Sequence, residues 1–351
     1  MDEKVLELIR HYDGPELRFM EVCGTHTGEI SRTGIRRMLS PKIRLISGPG
    51  CPVCVTVTAY IDKCIEVALK DNTTLVTFGD MLRVPGSKMS LREAQSLGAL
   101  VSMVYSPLDM LKLAQKEPER TFVFAAVGFE TTTPVYAMLL EEAEKQNIKN
   151  IRLLTSLKVM PPVIDWVCDL ACNTDEDFRV DGFLAPGHVS VITGSRIFEP
   201  LAEKYRVPFV VSGFEGEELL AAIYALVRLS GQGKVMNMYP KVVTAEGNTH
   251  AQQVISKYFE PGNASWRGMG TIPGSGMYLK KKYERYDAGS YGLDEDRVAN
   301  KACRCADVLI GRIESEQCPL FGKTCTVDHP QGACMVSSEG SCYTRFTEAC
   351  R

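Results

Sequence analysis

"TFVFAAVGFETTTPVYAMLLEEAEKQNIKNIRLLTSL", residues 121–157, decides the fold class. An apolar run, a stretch of helical periodicity and a second apolar run follow one another across short polar breaks. Runs that are continuous, not alternating, are what strands covered on both faces require. Strand, helix, strand in that order is a βαβ unit, and it predicts a parallel sheet. The same rhythm continues outward. Further strands are predicted at "LRFMEV" (17–22), "IRLISG" (43–48), "TLVTFG" (74–79), "LVSMVYS" (100–106), "GFLAPG" (182–187) and "PFVVSG" (208–213). The form recurs in "VVSGFEGEELLAAIYALV" (210–227), and "SGPGCPV" (47–53) echoes "APGHVSV" (185–191). The expected fold is therefore α/β: two similar Rossmann-like domains with mainly parallel sheets, at 45–145 and 150–240. Residues 1–44 are expected to add a helix and the Cys23 loop to this core, and 245–351 to form a C-terminal, helical, cysteine-rich domain. In that last region "WRGMGTIPGSGMYL" is glycine-rich, and "DEDRVANKACRCADVLIGRI" reads as a helix.

A chain of 351 residues, 45% hydrophobic and 24% charged, has an ordinary globular composition. Its net charge of −3 gives no reason to expect nucleic acid or an anionic membrane as partner. "MDEKVLELIRHYDG" lacks the basic start and apolar stretch of a signal peptide, and no window is apolar enough to span a bilayer. A cytoplasmic protein is expected.

Thirteen cysteines are the anomaly. A reducing compartment turns many cysteines toward metal or redox chemistry before structural disulfides. Cys51 and Cys54, in "SGPGCPVCVT", follow a strand and precede a helix, as thioredoxin-like redox pairs do. On that reading the helix N-terminus lowers the pKa of Cys51, the exposed sulfur, and Cys54 resolves. Half of a zinc site and an inert pair remain alternatives. Cys23, in "CGTHTGE", shares a strand-to-helix turn with Thr25 and His26. It is either a small buried hydrophobe or a thiolate that is nucleophilic or binds a soft metal. Asp80, Glu130, His188 and Glu215 stand in other strand-end loops, each a site residue or merely a cap or surface group. Parallel sheets bind ligands at the carboxyl ends of their strands, so these loops are expected to face one cleft. Cys64 and the Cys168/Cys172 pair read as core packing on helices. Six cysteines between Cys303 and Cys342, among Gly, Pro and Ser, suit a [4Fe–4S] cluster or a structural zinc, with two left over for a disulfide.

Taken together, "FMEVCGTHTGEISRTGI", "SGPGCPVCVT", "TFGDMLRVPGS", "AAVGFETT", "APGHVSVITG", "WRGMGTIPGSG" and "CMVSSEGSC" resemble the HypD family of hydrogenase maturation proteins, in the family's order from residue 19 to 342. The resemblance implies a scaffold that, with its partner HypC, assembles the Fe(CN)₂CO unit of [NiFe]-hydrogenase before transfer to the hydrogenase large subunit. Cyanide would come from HypE, which carries a thiocyanate made by HypF. By motif, Cys23 matches the iron-binding cysteine shared with HypC, and Cys51 and Cys54 match a redox-active pair. The family's C-x14-C-x6-C-x16-C cluster spacing matches Cys303, Cys318, Cys325 and Cys342. Cys305 and Cys334 match a second redox pair, and Cys350 lies outside the motifs. Thr25 and His26 are then expected as hydrogen-bond donors to coordinated cyanide. The dithiol is expected to store two electrons between a one-electron cluster and the iron. A competing reading is a cluster-dependent reductase acting on a thioredoxin-like partner, and another is a zinc-stapled binding module.

Overall fold

The computed structural model describes residues 3–173, 178–297 and 300–350. Eleven strands are present among them: β1 (Leu17–Glu21), β2 (Ile43–Ser47), β3 (Thr73–Thr77), β4 (Val101–Met103), β5 (Thr121–Gly128), β6 (Ile151–Lys158), β7 (Gly182–Ala185), β8 (Phe209–Val211), β9 (Val235–Asn237), β10 (Phe259–Trp266) and β11 (Gly270–Leu279). They form two sheets, ordered β2-β1-β7-β8-β9 and β10-β11-β6-β5-β3-β4. The first is parallel throughout. The second is parallel from β6 to β4 and antiparallel at the β10–β11 hairpin and where β11 meets β6.

The two α/β sheets match expectation, but their strands are not contiguous in sequence. β2, inside the stretch 45–145 for all but its first residues, belongs with β7–β9, and β6, inside 150–240, belongs with β3–β5. The chain starts in the first sheet, crosses to the second after β2 and returns after β6. The hairpin of β10 and β11 then extends the second sheet and is no part of a separate helical domain. It went unseen because Pro261, Gly262, Pro273, Gly274 and Gly276 break its apolar pattern, which an edge hairpin tolerates. In the stretch expected to be one long helix before the cysteines, only Cys305–Leu309 is helical among the described residues. Asp296 accepts there from the backbone N–H groups of Thr58 and Gly268, which ties that segment to other parts of the chain.

Strand alternation explains the layers. Phe19 of β1, Leu45 of β2, Leu184 of β7 and Val210 of β8 pack on the helix Gly216–Leu229, and Met20, Ile46, Phe183 and Phe209 face the opposite way. Phe122, Phe124, Ile151 and Leu153 fill one face of the second sheet, while Leu75, Val123, Ala125 and Leu154 meet the helix Thr58–Ala68 on the other. Met20, Cys51, Cys54, Trp266, Cys305 and Cys334 belong to a single apolar cluster, so the dithiol and the cysteine-rich lobe share a core. Among the described residues no helix is long and apolar enough to cross a membrane.

Candidate functional site

Each sheet has one place where the order of its parallel strands reverses, and open α/β sheets bind ligands at such a point, beyond the carboxyl ends of the strands. In the first sheet it lies between β1 and β7, whose ends carry Cys23 and His188. In the second it lies between β3 and β5, whose ends carry Asp80 and Glu130. The topology alone thus puts four of the candidate residues at the two switch points.

Cys23 is the N-cap of the helix Gly24–Thr33. The loop after β2 lies directly against it: the Gly24 N–H donates to the Gly50 carbonyl at 3.1 Å. Gly50 is obligatory there, because a Cβ would come within 2.8 Å of Cys23 Cα and closer still to Cys23 N. Cys23 therefore shares one corner with the turn bearing Cys51 and Cys54. Glu21 secures that corner. Its Oε1 accepts from Thr27 Oγ1 at 2.7 Å, its Oε2 from the Cys23 N–H at 3.5 Å, and its carbonyl from the Gly48 N–H at 2.8 Å. Burial pushes the Glu21 carboxyl up to about 7 against these bonds. Burial also pushes the Cys23 thiol up to about 12, opposed by the backbone N–H groups of His26 and Thr25 and reinforced by Glu339 and Glu21.

Cys51 and Cys54 form a disulfide, and the Cys54 N–H points at Cys51 Sγ at 3.2 Å. Cys51 is not the exposed sulfur expected from the motif: it is 4% exposed and Cys54 0%. Nor does a helix N-terminus reach it, since the following helix begins only at Thr58 and the pair sits in a turn.

His26 is buried and its imidazole is held at about 4, chiefly by desolvation, so it is neutral. Its Nε2 lies 3.0 Å from the Gly213 carbonyl, which can only accept, so Nε2 carries the proton. Nδ1 is then a bare lone pair, and it has no partner. This corrects the expectation of His26 as a donor: its N–H is committed to the Gly213 carbonyl, and its free ring nitrogen can only accept. Phe214 links the two histidines, 4.0 Å from the ring of His188 and 5.0 Å from that of His26. Thr25 Oγ1 donates to Glu339 Oε1 at 3.4 Å, and Ser337 Oγ to Asp80 Oδ2 at 3.3 Å. Asp80 thereby joins the second sheet to the Cys23 corner.

Two candidates do other work. Glu215 caps the helix Gly216–Leu229 in a reciprocal box with Glu218. Glu130 accepts from the Met160 N–H at 2.8 Å, and its other oxygen is buried without a partner. Cys64 and Cys168 are core residues as expected, but Cys172, on the last turn of Met160–Asn173, is exposed, as is Cys350.

Cys303, Cys305, Cys318, Cys325, Cys334 and Cys342 line one small, largely apolar cavity. Among the described residues no three His, Cys, Asp or Glu side chains converge on a single ion, so the sulfurs surround a space, not a point. Gly332 leaves room beside them, where a Cβ would stand 2.9 Å from Cys303 Sγ. Six sulfurs around such a space fit a polynuclear cluster, which needs four thiolates. Cys305 Sγ lies 2.8 Å from Cys334 Sγ. Side-chain hydrogen bonding with Cys303 and Cys334 holds Cys305 well below the usual thiol range, and Cys334, hydrogen-bonded to Cys305, is pushed well above it.

Two residues that this geometry makes prominent carry no local signal in the sequence. Glu339 stands in the quoted "CMVSSEGSC", but nothing local announces that its carboxylate meets Thr25. Arg267, in "WRGMG", is buried between the two cysteine regions. Its backbone N–H donates to the Val55 carbonyl at 2.8 Å and its Nε to the Thr56 carbonyl at 2.9 Å, and its charge helps lower Cys305.

Comparison with known proteins agrees with this picture. Residues 1–348 match the family described as "HypD: Hydrogenase formation hypA family". The chain is 41% identical to hydrogenase maturation factor HypD1 of Bradyrhizobium diazoefficiens over 94% of its own length and 89% of that protein. Identity to hydrogenase maturation factor HypD of Azotobacter vinelandii is 41%, covering 93% and 88%. For HypD of Escherichia coli K12 it is 40%, covering 97% and 94%.

Proposed function

The chain belongs to the HypD family, hydrogenase maturation proteins, and from that premise we propose that it is the scaffold on which, with HypC, the Fe(CN)₂CO unit is built from cyanide delivered by HypE. The observation that carries this reading is the contact between the Gly50 and Cys23 backbones, which seats a lone thiol beside a redox-capable pair.

The iron is cargo, and Cys23 is its handle. A thiol buried this deeply stays protonated against water, but a cation in the crevice displaces the proton and takes the thiolate. A cysteine of HypC would supply a second sulfur from outside. The Thr25 hydroxyl, now on Glu339, is the donor nearest to hand for a cyanide nitrogen, and the Nδ1 lone pair of His26 can take a proton or a hydrogen bond.

Releasing cyanide from a carrier thiocyanate needs two electrons, which the reduced Cys51/Cys54 pair holds. One thiolate of the pair bonds to the carrier sulfur, the S–C bond breaks and cyanide leaves with the bonding electrons. The second cysteine then closes the Cys51–Cys54 disulfide and frees the carrier as its thiol. One proton passes from the dithiol to the carrier, so charge and atoms balance. Because both sulfurs are buried, the turn must open for this encounter, which argues against free exchange with general thioredoxin-like partners. Cys303, Cys318, Cys325 and Cys342 would hold a [4Fe–4S] cluster, which when bound supplies electrons singly. Cys305 and Cys334, in contact on the wall of that cavity, form the nearer dithiol.

Cys51→Ala and Cys54→Ala should each abolish hydrogenase maturation while leaving the melting curve of the protein close to wild type. Full hydrogenase activity in cells carrying either variant would overturn the relay.

A further inference from the structure

The two ends of the Cys51–Cys54 turn are not held alike. Among the described residues the N–H groups of Cys51 and Val53 donate to no acceptor, and Pro52 has none to give. The carbonyls of this arm are held entirely from the far end of the turn. That of Cys51 accepts from the Val55 N–H at 3.2 Å, that of Pro52 from Thr56 Oγ1 at 2.8 Å, and that of Val53 from the Thr56 N–H at 3.3 Å. Pro52 and Val53 are half-buried, whereas Val55 and Thr56 are wholly buried. Arg267 grips those two residues in turn. Its backbone N–H donates to the Val55 carbonyl at 2.8 Å and its Nε to the Thr56 carbonyl at 2.9 Å. The next N–H, of Gly268, donates to Asp296 Oδ2 at 3.1 Å, and Asp296 Oδ1 accepts from the Thr58 N–H at 3.2 Å. On its other side Gly268 lies against the cysteine-rich lobe, where a Cβ would stand 2.1 Å from the Cβ of Ala306, the neighbour of Cys305. The Arg267 side chain is 3% exposed, its Nη1 is 3.6 Å from Asp296, and its Nη2 has no partner. A buried cation with so few acceptors is costly, and what this one holds is the turn.

We propose that Arg267 is the positioning residue of this dithiol: it anchors Val55 and Thr56, and with them Cys54, to the lobe, so that the turn opens through its Cys51–Val53 arm alone. The inference rests on the relay reading and assigns the two thiols within it. Cys51 Sγ bonds to the carrier sulfur as the S–C bond breaks and cyanide leaves with the bonding electrons. Cys54, still anchored, then attacks Cys51 Sγ. The disulfide closes, and the carrier sulfur departs with the electrons of the broken S–S bond and takes the proton of the Cys54 thiol. In the closed turn the Cys54 N–H already points at Cys51 Sγ, where it favours a thiolate.

The test is alkylation of the reduced, anaerobically purified full-length protein with iodoacetamide, read cysteine by cysteine by peptide mass mapping. Cys51 in Cys54→Ser should react at least about tenfold faster than Cys54 in Cys51→Ser, because only its arm opens locally. In the Cys51→Ser background, Arg267→Met should raise the Cys54 rate about tenfold while the wholly buried Cys64 stays unreacted. Arg267→Lys, which keeps a donor for the Thr56 carbonyl, should restore most of the protection. Equal rates for the two thiols, or a faster Cys54, would overturn the assignment whether or not Arg267→Met folds. An unchanged Cys54 rate in Arg267→Met, no rescue by lysine, or Cys64 reacting alongside Cys54 would overturn the anchoring role. Iodoacetamide reports on the turn and not on maturation, so these outcomes are distinct from hydrogenase activity in Cys51→Ala, which tests the relay itself.

Discussion

Cys23 and Cys51 hang from the ends of adjacent parallel strands, whereas Cys303, Cys318, Cys325 and Cys342 are carried on short turns and one terminal helix with no sheet behind them. At the first site the backbone fixes the sulfurs. β1 and β2 pair residue for residue, the Gly50 carbonyl locks onto the Gly24 N–H, and Glu21 ties both loops together. In the lobe the longest element near the sulfurs is the helix Ser341–Ala349, and the cysteines themselves line the interior. A crevice of the first kind stands ready before its cargo arrives. On the proposed reading, a lobe of the second kind would gain much of its order from what its thiolates hold.

The largest effect that could break this contrast is metal removal. Chelation of anaerobically purified protein should strip hydrogen-exchange protection from 303–342 and leave it intact in β1, β2 and β5. Equal loss in both regions, or none in the lobe, would erase the difference. Next comes Gly50→Ala, which drives a methyl into the Cys23 backbone. It should cost at least about 3 kcal/mol by denaturant midpoint and end maturation, because neither loop can move without breaking the strand register. A stable, active Gly50→Ala would mean that the corner is not rigid. The smallest effect concerns Glu130, whose buried carboxyl is pushed from 4.5 up to about 7. Its folded pKa lies above the unfolded one, so its contribution is full below the ordinary value and is lost as pH rises through the folded one. Wild type should therefore lose up to about 3 kcal/mol between those values relative to Glu130→Gln, in urea titrations at each pH. Parallel pH profiles would show that Glu130 ionises freely and that the second crevice is wetter than its burial implies.

The alternation of strands and helices was legible because buried parallel strands must be continuously apolar, and "TFVFAAVG" could be nothing else. The sharing of strands between sheets was not. Nothing in the composition of β2 or β6 says which sheet each will join, since that is decided by long-range pairing such as Phe19 with Leu45. At the site, the residue types were readable and their surroundings were not. Cys51 looked exposed because the motif stands before a helix, but residues 55–57 separate the pair from that helix and both sulfurs are buried in the apolar cluster of Trp266. Glu215 and Glu130 had the same strand-end address, yet one reaches its own helix and the other the next.

The measurement that bears most directly on the scaffold is infrared spectroscopy of the complex purified anaerobically with its small partner. The account predicts cyanide and carbonyl stretching bands that vanish in Cys23→Ala while the visible absorption of the cysteine lobe persists. Bands that survive Cys23→Ala, or a complex with no such bands that still reduces disulfides, would contradict it.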